Sequence, residues 1–91
     1  MAHAAAPYLE VTYRQGKPLA AYLYLARQSG DTAARTVRHA SWLVDYAADG
    51  RAIGIEFPSV GTIDLAELNR LLAAAHQPPL SPADVVPLVA A

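Results

Sequence analysis

Four residues between positions 45 and 56 have the types and spacing of a calcium-binding loop. Asp45, Asp49 and Glu56 match the acidic first, fifth and twelfth positions, and Gly50 matches the sixth. The third position is Ala47, which cannot ligate a cation, and the flanking segments have strand patterns where such a loop needs helices. We therefore predict no metal here and assign the acidic residues to the architecture of a hairpin.

Asp45 and Glu56 are also a candidate pair of catalytic carboxylates. On neighbouring antiparallel strands we expect them several residues apart, which at about 3.3 Å per residue separates them by more than ~10 Å, too far for cooperation. The histidines, His3, His39 and His76, lack metal-ligand spacing, and the chain contains no cysteine. No residue completes a nucleophile or acid–base set, so we predict that the chain is not an enzyme and uses no cofactor.

These residues sit in the clearest local signal of the chain, a β-hairpin with Asp49-Gly50 at its turn. We prefer a register in which Tyr46 pairs with Arg51, because it places Val44 opposite Ile53 and Trp42 opposite Ile55. This register gathers a set of apolar residues on one face: Trp42, Val44, Ile53, Ile55 and Phe57. The alternative is a turn closed by Ala47 and Arg51, which shifts the pairing by one residue and brings Trp42 beside Glu56.

The alternation of apolar and polar residues predicts four strands, over 8–14, 19–27, 36–46 and 51–57. The period then becomes helical, and Asp64 with Glu67 indicates a helix start, so we predict a helix over 64–76. Ser81-Pro82 begins a short second helix over 82–88. The prediction is one α+β domain of residues 1–91 with a loose end at 1–7. In this prediction, residues 8–57 of the domain form a four-stranded antiparallel β-meander of two hairpins. The helix covers one face of the meander, which gives two layers.

The hairpin carries a family resemblance. Asp45-Tyr46, Asp49-Gly50-Arg51 and Gly54-Ile55-Glu56 resemble the signature of the small bacterial "domain of unknown function 2283" family. Tyr13 and the segment 19–25 resemble the family's first hairpin, so the similarity covers roughly residues 8–57. The resemblance implies this fold and a bacterial or phage source. Some members look like partners in toxin–antitoxin-type gene pairs, which implies an antitoxin-like or regulatory partner here.

Two groups of apolar and aromatic residues are candidates for an interaction surface. The strand aromatics Tyr22 and Tyr24 suit either packing or a protein interface. The C-terminal tail is too apolar for free solution, so it docks either on its own sheet or on a partner. The residues that we predict for the interaction surface are Tyr22, Tyr24, Leu80, Val85, Val86 and Leu88.

The overall composition narrows the function further. The net charge is −1, from 7 basic and 8 acidic residues, so we expect no obligate nucleic-acid partner. No apolar run is long enough to span a bilayer, and we expect a cytoplasmic protein. We predict a non-enzymatic protein-interaction module that forms a homodimer and binds another protein. The alternative is a ligand- or nucleic-acid-binding domain that uses an aromatic sheet face.

Overall fold

The computed structural model describes residues 8–26, 28–60 and 63–86, and the predicted N-terminal end at 1–7 lies outside them. Its strands are β1 (Tyr8–Arg14), β2 (Lys17–Tyr24), β3 (Arg35–His39), β4 (Trp42–Tyr46) and β5 (Ala52–Phe57). One α-helix, α1 (Leu65–Ala74), and a 3₁₀ helix at Pro82–Val85 follow. The architecture is an α+β arrangement in which one antiparallel sheet packs against helix.

The sheet of the described residues has five strands, so the prediction of four was wrong. The segment predicted as one strand over 36–46 is a hairpin of β3 and β4, in which His39 pairs with Trp42. Ala40 at its turn has a φ of 57°, a left-handed conformation that is uncommon for a residue other than glycine. With Ala40-Ser41 instead of a glycine or asparagine pair, the turn has no sequence signal of the usual kind.

The strand order is β1-β2-β5-β4-β3, so the sheet is not the simple meander that we predicted. The chain leaves β2, passes the ends of β5 and β4, and enters the sheet again at the far edge. The Leu25 N–H donates to the Ile53 carbonyl at 3.2 Å, and the Ala34 N–H donates to the Tyr46 carbonyl at 2.8 Å. These bonds attach both ends of the crossover, residues 25–34, to the sheet.

The β4–β5 register follows the alternative pairing at the turn and neither predicted pairing beyond it. The Ala47 N–H donates to the Arg51 carbonyl at 2.9 Å, as in the alternative turn. A bulge then shifts the ladder, so Asp45 pairs with Gly54 and Val44 with Ile55. The predicted pairs of Val44 with Ile53 and of Trp42 with Ile55 were therefore wrong by two residues, a shift that leaves each side chain of β4 on its predicted face.

The helix covers one face of the sheet, which we call the inner face. The apolar residues at helical spacing, Leu68 and Leu72, are buried with Val44, Ile55 and Phe57 in one core cluster. The predicted N-cap is confirmed, since the Asp64 carboxylate accepts from the N–H groups of residues 66 and 67 at 3.0 and 3.2 Å. The helix ends two residues before the predicted boundary, at Ala74.

The C-terminal segment is fastened to this helix. The Asn69 side-chain amide donates to the Leu80 carbonyl at 3.0 Å, and the Leu80 N–H donates to the Asn69 oxygen at 2.8 Å. Val85 is then fully buried in the core. The predicted helix over 82–88 is only a 3₁₀ helix at Pro82–Val85, and residues 87 and 88 lie outside the described part of the chain. None of the described helices has the length and apolar character needed to cross a bilayer.

Candidate functional site

The face of the sheet opposite α1, the outer face, carries a row of tyrosines. Tyr8 of β1 pairs with Tyr24 of β2, and their rings stack with centroids 4.5 Å apart. The Tyr22 ring lies 4.7 Å from that of Tyr24 at a tilt of 58°. Alternation along β2 directs Leu23 into the core and its neighbours outward, so the sequence pattern places Tyr22 and Tyr24 on this face.

Tyr22 reaches across β5 to Asp45 on β4. Its hydroxyl donates to one Asp45 carboxylate oxygen at 2.6 Å, and the Thr36 hydroxyl donates to the other at 2.5 Å. Gly54 lies beneath the ring, where an added Cβ would stand 1.9 Å from the tyrosine oxygen. A glycine is needed here for close approach, so Asp45 and Gly54 serve one structural link across three strands.

The β4–β5 turn forms a second link. Arg51 donates two hydrogen bonds to Asp31 of the crossover, at 2.8 and 3.0 Å, and its Nε donates to Asp49 at 2.6 Å. The hydrogen bonds to Asp31 and Asp49 raise the pKa of Arg51, and those from the Arg51 side chain and N–H lower the pKa of Asp49. Gly50, at a φ of 93°, completes the turn. Of the acidic residues in the predicted motif, Asp49 therefore binds a cation of its own chain and Asp45 binds two hydroxyls.

Glu56 is exposed on the outer face, opposite Tyr22 and Leu43. In the observed register Glu56 lies two residues along β5 from Gly54, the partner of Asp45, so the two residues are diagonal neighbours whose backbones lie about 7–8 Å apart. They are fewer positions apart than we predicted. Because Asp45 already accepts two hydroxyl donors, the arrangement does not present a free pair of acids. Among the described residues no group of acidic or histidine side chains has the geometry to hold a metal ion.

Two clefts open beside the helix on the inner side. One of about 300 Å³ lies between β1 and the C-terminal segment, and its lining includes Leu9, Phe57 and Leu80. The other, of about 390 Å³, lies between the β4–β5 turn and the end of α1, and its lining includes Tyr46, Arg51 and His76. Both have mainly aliphatic floors that continue the core.

The predicted interaction residues do not form one surface. Tyr22 and Tyr24 lie half-buried on the outer face, whereas Leu80 and Val85 pack on the inner side of the chain's own sheet. Val86 is exposed, and Leu88 lies outside the described residues. The tail up to Val85 thus docks on its own chain, one of the two possibilities that its composition left open.

Sequence reasoning placed residues 36–39 in one long strand and missed that they form a separate edge strand, which we call the β3 edge (Arg35–His39). All five of its residues are exposed, and Val37 has 42% of its surface accessible. The Arg35 guanidinium carbon lies 4.8 Å from the centre of the Tyr46 ring. His39 lies 3.6 Å from Glu67 of α1, whose pKa is lowered mainly by Arg70 and to a smaller extent by His39. The sequence signal that could have identified this basic edge was the presence of two arginines and no acidic residue in the segment 35–39.

Comparison with known proteins identifies no relative: no protein-family model, curated protein or solved structure matches the chain. The resemblance of residues 8–57 to the "domain of unknown function 2283" family stays a prediction.

Proposed function

We propose that this chain is a non-enzymatic protein-interaction module, an antitoxin-like or regulatory partner that binds other chains through the edges of its sheet. The observation that carries the proposal is that β1 and β3 each have a strand neighbour on one side only in the described structure. Both edges also expose large apolar side chains, Tyr8 and Tyr13 on β1 and Val37 on β3. Unpaired backbone beside exposed apolar surface favours the addition of a further strand.

The polar motif residues support this choice over catalysis. Asp45 is bound by Tyr22 and Thr36, and Arg51 is bound by two carboxylates. Side chains engaged in this way hold strands together, and chemistry on a substrate would have to break those bonds. The outer backbone groups of β1 and β3 have no neighbouring strand in the described structure, which makes the edges the better candidates for a function.

For the predicted homodimer we propose β1 as the interface. Glu10 and Arg14 lie on either side of Thr12 in an exposed strand. If two copies pair antiparallel about Thr12, each Glu10 stands opposite Arg14 of the other copy, and opposite charges across a strand pair are favourable. Tyr13 would then lie opposite Val11 of the other copy, which would cover part of its apolar surface.

Light scattering on a size-exclusion column tests this interface. We expect the full chain to elute as a dimer, Glu10→Arg to elute as a monomer because Arg14 would meet a like charge, and Glu10→Arg with Arg14→Glu to restore the dimer. Circular dichroism of each variant checks that the fold is kept. A full chain that is monomeric at millimolar concentration would overturn the homodimer. Failure of all edge variants to alter capture of an identified partner would overturn edge binding as a whole.

A second candidate function uses the outer face. The stacked Tyr8 and Tyr24 favour a ligand with a flat ring, and Tyr8 is 53% exposed. Glu10 and Glu56 line a shallow cleft of about 380 Å³ beside Tyr22, so this face would repel phosphate. Titration with single-stranded DNA at low salt tests whether that ligand is a nucleic acid. Binding that weakens steeply with salt would favour nucleic acid, and no binding would exclude nucleic acid as the ligand of this face.

A further inference from the structure

We propose that the β3 edge binds an extended, acidic segment of a partner protein as a sixth strand of the sheet. This inference rests on the proposed function and adds the chemistry of the partner. It is carried by three properties of the strand: the direction of its backbone groups, its unpaired positive charge and one exposed aliphatic side chain.

The backbone of the β3 edge is available on one side. A two-residue hairpin turn makes His39 and Trp42 a hydrogen-bonded pair, and such pairs alternate along an antiparallel ladder. Residues 39, 37 and 35 therefore direct their N–H and C=O groups toward β4. Those of Thr36 and Arg38 point away from the sheet, where an added strand would form its hydrogen bonds.

The two arginines of this edge have no carboxylate partner within the described chain. Neither Arg35 nor Arg38 forms an ion pair with any residue that the structure describes, and β3 contains no acidic side chain. Arg35 lies on the inner side, over Tyr46, and Arg38 lies on the outer side, opposite Leu43. The two guanidinium groups thus flank the strand on both faces, so a bound segment would meet a cation on either side.

These positions define the pattern of the segment. Acidic residues three positions apart would stand opposite Arg35 and Arg38, and an aliphatic residue between them would stand opposite Val37. Opposite charges and aliphatic pairs across strands each stabilise pairing. Charge at an edge also discourages strands that do not match it, which makes the same arginines selective for acidic partners.

A second copy of the chain fits this edge less well than an acidic partner. Antiparallel pairing of two β3 strands about Val37 places Arg35 opposite His39 and Thr36 opposite Arg38. No arginine then meets a carboxylate, so the charges of the two copies do not complement each other. Dimerisation is therefore assigned to β1, whose charges are self-complementary, and the β3 edge is left for another protein.

Titration of the isotope-labelled full chain with capped hexapeptides, followed by amide NMR, tests the inference. The probes are Thr-Glu-Val-Thr-Glu-Thr for antiparallel pairing, Thr-Glu-Thr-Val-Glu-Thr for parallel pairing, and Thr-Lys-Val-Thr-Lys-Thr as the matched basic control. We expect one acidic peptide to shift the amides of Thr36 and Arg38 most and to bind about tenfold tighter than the basic one, with the difference shrinking at high salt.

A charge exchange completes the test. The variant Arg35→Glu with Arg38→Glu should reverse the preference to the basic peptide, whereas Lys17→Glu, a charge reversal of an exposed residue outside both proposed interfaces, should leave it unaltered. Equal binding of acidic and basic peptides would overturn the acidic partner and leave edge binding intact. The inference would be overturned by amide shifts confined to another surface, by pairing of two β3 strands, or by no binding of any peptide. In each of these cases the light-scattering test of the β1 dimer would still test the proposed function.

Discussion

Strands β3 and β4 are neighbours in the sheet, yet the arginines of β3 and the charged residues of the β4–β5 hairpin are used in opposite ways. On β4 and in the turn that follows it, Asp45, Asp49 and Arg51 all bind partners within the chain. On β3, Arg35 and Arg38 form no ion pair with any described residue. The hairpin motif therefore consists of internal links, whereas the β3 edge presents its charge outward.

This difference separates two consequences of mutation. Changes in the hairpin should lower the free energy of unfolding, because they remove links between strands that lie far apart in sequence. Changes at the β3 edge should leave stability nearly unaltered, since exposed charges without partners contribute little to it. The affinity for a partner should change in the opposite way: changes at the β3 edge should lower it, and changes in the hairpin should affect it little.

Gly54→Ala should have the largest effect on stability. The new Cβ would meet the Tyr22 ring at 1.9–2.5 Å and displace it from Asp45. We expect a loss of about 1–3 kcal/mol in urea denaturation. In a Tyr22→Ala background the same substitution should cost almost nothing, because the obstructing ring is gone. An equal cost in both backgrounds would show that Tyr22 is not the reason for the glycine.

Tyr22→Phe should have the next largest effect. It keeps the ring over Gly54 and removes only the hydroxyl that donates to Asp45. We expect a loss of about 1–2 kcal/mol, since the carboxylate keeps its second donor, Thr36. Tyr13→Phe, which removes a hydroxyl from a 56% exposed ring, is the matched control and should be neutral. Equal behaviour of the two variants would contradict the structural role of the Tyr22–Asp45 bond.

The Arg51 link should appear as sensitivity to acid. Hydrogen bonds from Arg51 lower the pKa of Asp49 in the folded chain. Its stabilising contribution is therefore present above the unfolded pKa, near 4, and is lost as the pH falls through the lower folded value. Melting temperatures measured from pH 7 to pH 2 should fall less steeply on acidification in Asp49→Asn than in the parent chain.

Arg51→Met provides the control for this pH dependence. It removes the cause of the lowered Asp49 pKa and also the two bonds to Asp31. We expect a lower melting temperature at pH 7 than for Asp49→Asn, because more contacts are lost. Its acid sensitivity should be reduced in the same way, and adding Asn at position 49 should not reduce it further. Additive effects would mean that Asp49 has another source of its lowered pKa.

The smallest effect on stability should come from Arg38→Gln. The side chain is exposed and forms no ion pair with described residues, so we expect a change within about 0.5 kcal/mol. The same variant should lose several-fold in affinity for the acidic hexapeptide. A marked loss of stability would show that this arginine has a structural partner and would weaken the contrast between the two strands.

Local signals predicted much of the fold. Alternation identified β1, β2 and β5, Asp49-Gly50 located the turn, and Asp64 located the start of the helix. The split of the third strand was missed because Ala40 adopts its positive φ without the residue type that usually marks such a turn. The candidate site was predicted only in part, since Asp45 and Gly54 were assigned to the hairpin but their partner Tyr22 was assigned to an interface.

The sequence by itself determined the Asp49-Gly50 turn, the helix start at Asp64 and the side chains of β2 and β4 that face the core, because these depend on neighbours within a few positions. Only the tertiary structure decided that β2 lies beside β5, that Tyr22 crosses Gly54 to reach Asp45, and that Val85 returns to the core. Those contacts join residues more than twenty positions apart, and their energy comes from packing and pairing that no local pattern encodes.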